Sequence, residues 1–187
     1  VDVFEKVGEV LLPATQHRFD RLLHWEVVWA GANPDLQPGL QRVQQALRKL
    51  LGRQEESESL LEPGETLEDW RAAYHVASAR QAWEVHGDWI TAHQPVMGQA
   101  IANRFDFASK VTPEQAQAAW DVIKGISQRV KGQISHDAVV VLPSSASTAP
   151  AFDADAAFVD DVRTRTMRLT CVAALSGLPQ VSIPLRT

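Results

Sequence analysis

Cysteine is nearly missing from this chain. Cys171 is the single example in 187 residues, so no internal disulfide framework can form and a reducing compartment fits. Clusters of lysine and arginine are missing too, and the formal charge is −5. Affinity for nucleic acid comes largely from clustered cations, so no nucleic-acid partner is expected. No apolar run approaches the roughly 18 residues that span a bilayer, and the first residues lack the basic-then-apolar pattern of a secretory leader. The expectation is a cytoplasmic protein with no membrane contact. Gly-rich phosphate cradles, Cys pairs and a His-Glu-x-x-His pattern are absent from the sequence, which leaves no signal for a nucleotide cofactor or a metal site.

What is present is ordinary globular material. Apolar residues make up 45% and charged residues 22%, enough for one real core. "RLLHWEVVW" (21–29) reads as a strand rich in aromatic and branched residues. Asp35 is placed to cap a helix with apolar positions Leu36, Leu40, Val43, Leu47 and Leu50, which Gly52 ends. Residues 53–65 hold a weak strand and an acidic, solvated turn. Thr66 with Asp69 predicts the start of a long helix that Pro95 breaks, and a shorter helix follows over "VMGQAIANRFDFA". Thr112, Pro113 and Gln115 mark another helix start, with Ala116, Ala119, Trp120, Ile123, Ile126, Val130 and Ile134 on one apolar face. "AVVVL" (138–142) has the continuous apolar character of a strand covered on both faces. After a loop comes a helix carrying Phe158, Val162, Leu169, Val172 and Leu175, then "QVSIPL" (180–185), which alternates like a strand. Strand, helix and strand in that order predict a parallel crossover. The chain reads as a single α/β unit over 1–187. It opens at Val1 already in apolar periodicity and stops just after a strand pattern, so the expectation is a piece cut at both ends.

Few residues suggest chemistry. His86 and His93 sit seven apart, roughly 10 Å along a helix, too far to share one metal ion. Trp70, Tyr74, Trp83 and Trp89 fall mostly on one broad helix face, which reads as core, part of which could line an apolar pocket. Cys171, in "RLTCVAALSG", reads as a buried inert thiol. Ser144 and Ser145, after the strand at 138–142, raise the question of a nucleophile and its helper. An activated serine needs a base within reach and donors for the oxyanion. "PSSAST" has no flanking glycine to let a substrate approach. Its place does matter, because ligands collect outside the carboxyl ends of strands in open α/β sheets. Pro143, Ser144 and Ser145 are therefore candidates for a pocket wall rather than for catalysis.

Three stretches carry a family resemblance: "ARQAWEVHGDWITAHQPVMGQAIANRFDFASKVT" (79–112), "DAVVVLPSSASTAPAF" (137–152) and "RLTCVAALSGLPQVSIPL" (168–185). Together they resemble the downstream half of amidase signature enzymes. "VDVFEKVGEVLLP" (1–13) and "NPDLQPGLQRVQQALRKLLG" (33–52) resemble looser parts of the same family. The resemblance implies an α/β/α fold with a mixed sheet covered by helices, and hydrolysis of the C–N bond of a small-molecule amide. It also implies a catalytic lysine and two serines in a Gly- and Ser-rich segment. No such segment occurs here, and Lys6, Lys49, Lys110, Lys124 and Lys131 all lie outside a matching context. No catalytic residue is carried over. Pro143–Ser145 matches a segment that helps wall the family's substrate site. Two functional expectations result: the pocket-forming, C-terminal portion of an amidase, inactive alone, or a non-catalytic scaffold or binding subunit that completes such a fold as a homo-oligomer or with a partner chain. A soluble α/β domain with convergent patterning is the third.

Overall fold

In the computed structural model, residues 2–13, 18–53 and 55–184 are described. In chain order they form α1 (Asp2–Leu11), β1 (Arg21–His24), α2 (Glu26–Trp29), a 3-10 turn (Pro34–Leu36), α3 (Gln37–Leu51) and β2 (Glu55–Ser57). Then come α4 (Leu67–His93), α5 (Gln99–Lys110), α6 (Pro113–Ile134), β3 (Ala138–Val140) and α7 (Ala156–Ser176).

Capping chemistry fixes the ends of the long helices. The Thr66 hydroxyl accepts the Asp69 N–H at 3.2 Å, and the Asp69 carboxylate accepts the Thr66 N–H at 2.8 Å. That reciprocal pair satisfies donors that the first turn of α4 would otherwise leave open. Thr112 and Gln115 repeat the device at α6, with Pro113 at the first helical position where its missing N–H costs nothing. Asp155 caps α7 through the Phe158 N–H, and Gly177 ends it at φ 66°, a left-handed conformation that glycine tolerates best.

The sheet has the order β2-β1-β3, and β1 pairs in parallel with both neighbours. Leu22 lies opposite Glu55 and Val139, and Leu23 opposite Glu56 and Val140. As the middle strand, β1 buries both leucines completely. Helix α4 packs on α5, α6 and α7, and α6 on α7. Trp25, Val28, Trp70, Ile126, Val130, Leu169 and Val172 fill the core between these layers. The α/β class expected from the sequence holds. The architecture is mostly helical, and the described strands are parallel throughout.

Several local expectations are corrected. The strand expected over 21–29 ends at His24, and α2 begins at Glu26. Trp25, Val28 and Trp29 are all buried, and that three-and-four spacing suits a helix face rather than a strand's alternation. Pairing of the strand expected over 138–142 stops at Val140. The segment expected as a strand over 180–185 forms none within residues 180–184, where Val181 and Ile183 are exposed; Leu185 lies outside the described residues. Asp35 does not cap α3: the 3-10 turn runs into the helix, and Leu36 stands at its N-cap without a side-chain bond. Leu50, Trp89, Trp120 and Phe158, expected on buried faces, are exposed. Among the described residues no helix is long and apolar enough to cross a membrane.

Candidate functional site

The loop leaving β3 is fastened at two points. The Trp29 indole N–H donates to the Val141 carbonyl at 2.8 Å. Five residues on, Ala146 is fully buried; its N–H donates to the Thr166 hydroxyl of α7 at 3.0 Å, and its carbonyl accepts the Asn33 N–H at 2.7 Å. Arg165 holds Asn33 in turn, donating to its side-chain carbonyl at 2.8 Å while pairing with Asp161. A buried peptide needs both its polar groups satisfied, and here the partners come from two separate elements. Residues 142–145 are thus strung between anchors on α2, the turn after it, and α7. Pro143 is buried, Ser144 is exposed and Ser145 is half-buried.

The Ser145 and Ser147 hydroxyls are engaged in turn formation, while Ser144 is exposed and has no base beside it among the described residues. Ser145 Oγ donates to the Ser147 carbonyl at 2.6 Å and accepts the Ser147 N–H at 3.4 Å. Ser147 Oγ donates to the Thr148 carbonyl at 2.7 Å. A hydroxyl whose proton goes to a main-chain carbonyl is not poised against a base, and these short closures are the usual work of serine in turns. Lys110 is committed elsewhere, to Asp106 at 2.7 Å. The loop can present a shaped, polar edge at the carboxyl end of a parallel strand. It does not assemble a nucleophile–base pair.

Other groups singled out in the sequence stay apart. His86 meets Phe105 edge-on and His93 stacks on Trp89, so they turn to different neighbours. Among the described residues no group of three or more His, Cys, Asp or Glu side chains is placed to hold a metal ion. Cys171 is buried, and burial pushes its thiol up to about 12, which keeps it protonated and unreactive. Of the four α4 aromatics, Trp70 is fully buried, Tyr74 and Trp83 are half-buried, and Trp89 is exposed.

The acidic run has more structure than a solvated turn. Glu56 and Glu58 both bind Arg21, at 2.8 and 3.0 Å, while Glu62 and Glu65 hold Arg129, each at 3.0 Å. Arg129 also lies over the Trp70 ring, 5.6 Å from its centre. An open groove of about 980 Å³ runs beside these residues, with Glu26, Glu58, Leu60, Glu62, Arg129 and Gln133 among its walls. Pro143, Ser144 and Ser145 do not border it. Sequence reasoning missed the groove because its walls meet only after α6 packs beside the segment following β2. The β3 loop, fastened at Val141 and Ala146 and placed at the carboxyl end of a parallel strand, is the stronger candidate site.

No protein-family model matches the chain. Over 100 residues, 54% of its length, the chain is 29% identical to "Amidase 1" of Arabidopsis thaliana, covering 24% of that protein. Over 100 residues it is 23% identical to "Outer envelope protein 64, chloroplastic" of the same plant, covering 17% of it. The chain thus spans less than a quarter of the length of either relative. Its similarity to an amidase is distant and partial.

Proposed function

We propose that this chain is the substrate-pocket and structural portion, C-terminal in an amidase-type hydrolase, of an enzyme that cleaves the C–N bond of a small-molecule amide. In this reading Pro143, Ser144 and Ser145 form part of the pocket wall. The lysine and serines that break the bond are supplied from outside these 187 residues, and the chain alone is inactive. A cytoplasmic setting belongs to the same proposal. The supporting observation is the anchored loop at the carboxyl end of β3, the position where ligands gather in open α/β sheets, in a chain with partial similarity to an amidase.

The test pairs an assay with a map. Simple aliphatic and aromatic amides are expected to show no turnover with the chain alone, yet to perturb the backbone NMR signals of residues 143–147 more than those elsewhere. Turnover abolished by Ser144→Ala with Ser145→Ala would restore the serine pair as catalysts. Perturbation confined to the Arg129 groove would remove the wall assignment.

A second reading draws on the relative named for the chloroplast outer envelope rather than for an activity. Here the chain is a non-catalytic scaffold or binding subunit that completes an amidase-like fold by self-association or with a partner chain. Solution mass separates the two: a stable oligomer favours the subunit, a monomer the pocket portion.

A further inference from the structure

The chain is acidic overall, at −5, yet one face departs from that balance. On α4 and the helices packed on either side of it, α5 and α7, Arg71, Arg104 and Arg163 lie around His75, with Arg168 joining Arg71 on Glu68; among the described residues Glu68 and Asp160 are the carboxylates paired with them. His75 marks the centre. Its ring stacks on Phe107 of α5, centroids 4.5 Å apart and planes 16° from parallel. One turn before it on α4, Arg71 forks onto Glu68, which also takes Arg168 of α7 at 2.6 Å. Arg163 of α7 contacts Asp160 at 3.3 Å and lies along Met167. Arg104, on the exposed side of α5 one turn before Phe107, has no carboxylate partner among the described residues. The remaining charges on these helices nearby are already matched within pairs, Lys110 with Asp106 and Arg165 with Asp161.

Burial first, then the charges of Arg71, Arg163 and Arg104, push the His75 ring below the usual histidine value. Arg104 and Arg163 are exposed, and Phe107 is 38% exposed beside them. Guanidinium forks match carboxylates in a planar, two-pronged way. The Arg104 fork is open among the described residues and Arg163 is held by one 3.3 Å bond to Asp160, so these two groups, on α5 and α7, can take carboxylates spaced along a chain. Arg71, engaged by Glu68, adds its charge behind them, and the Phe107 edge adds an apolar contact.

We infer that the face around His75, formed by Arg71, Arg104, Phe107 and Arg163, is a docking surface for an acidic peptide segment of another protein. This surface is separate from the β3 loop, so its fate is independent of the amidase reading. Complementary charge gives such a contact a fast, salt-sensitive encounter rather than great affinity.

The experiment titrates the 187-residue chain with fluorescently labelled hexaglutamate, using hexalysine and inorganic phosphate as controls. Binding is read by anisotropy, and the His75 ring protons by NMR. Hexaglutamate is expected to bind at low salt, weaken as salt rises from about 50 to about 300 mM, and move the His75 titration toward higher pH. Arg104→Gln with Arg163→Gln, both at exposed positions, should weaken binding at least about tenfold while circular dichroism and thermal midpoint stay unchanged. Any of three results overturns the inference. The double variant binds equally well; hexaglutamate binds without moving His75; or inorganic phosphate at matched concentration moves His75 as far as the peptide does.

Discussion

Replacing Thr166 by valine keeps the side chain's shape and removes one oxygen. That oxygen is the acceptor for the Ala146 N–H at 3.0 Å, and Ala146 is 0% exposed. Water cannot take over without opening the loop, so the donor is left unpaired at a cost of about 1–3 kcal/mol. The second anchor, from the Asn33 N–H to the Ala146 carbonyl, remains. The damage should therefore be local: the loop opens more often while α4, α6 and α7 stay packed. Hydrogen exchange at the Ala146 amide should accelerate about 5- to 150-fold, the same energy expressed as a population. Thr166→Ser restores the oxygen and should return exchange to near the parent rate. Unchanged exchange in Thr166→Val, or equal acceleration in Thr166→Ser, would refute the claim that this bond fixes the candidate site.

Other consequences follow from single contacts. A Cβ on Gly31 would meet Leu169 Cδ2 at 2.5 Å and the Val28 carbonyl oxygen at 3.3 Å, and Leu169 is 1% exposed, so it must shift within the core; Gly31→Ala should lower stability by about 1–3 kcal/mol in urea unfolding. Hydrogen bonds from Arg71, with Arg168 assisting, lower the Glu68 carboxyl from 4.5 to about 2. Because its folded value is depressed, its stabilising effect is complete above the ordinary carboxylate range and is lost as pH falls through about 2, trimmed by its partial exposure. The stability gap between the parent and Glu68→Gln should accordingly close on acidification, and a gap that does not depend on pH contradicts the pairing. Cys171 should resist alkylation by iodoacetamide at mildly alkaline pH in the folded chain and react on unfolding; rapid labelling of the native protein would show that the thiol is accessible.

The parts of the fold legible in the sequence are those set by neighbours along the chain. Thr66 with Asp69, Thr112 with Pro113 and Gln115, and Gly177 each act within a turn, so the ends of α4, α6 and α7 could be read from residue types alone. Of 21–29 the first half, Arg21–His24, is the expected strand; branched and aromatic residues suit a strand through the rest as well, but burial of Trp25, Val28 and Trp29 against the rest of the chain imposes a helix from Glu26. Strand length was likewise a tertiary matter: Val141 leaves the ladder because the Trp29 indole takes its carbonyl. At the candidate site, the sequence shows only that Pro143–Ser145 follow the strand β3. The anchors Asn33, Thr166 and Arg165 were not legible, since nothing in their spacing links residue 33 or 166 to residue 146. The groove at Arg129 was hidden for the same reason.

The account rests on the serine pair shaping a wall without attacking anything. Treating the folded chain with an excess of a fluorophosphonate that captures activated serines, then weighing the peptide that holds residues 143–147, tests this most directly. The account predicts no adduct on Ser144 or Ser145 at concentrations that saturate an active serine hydrolase run in parallel. A stoichiometric adduct on either serine, abolished by prior unfolding, would contradict it.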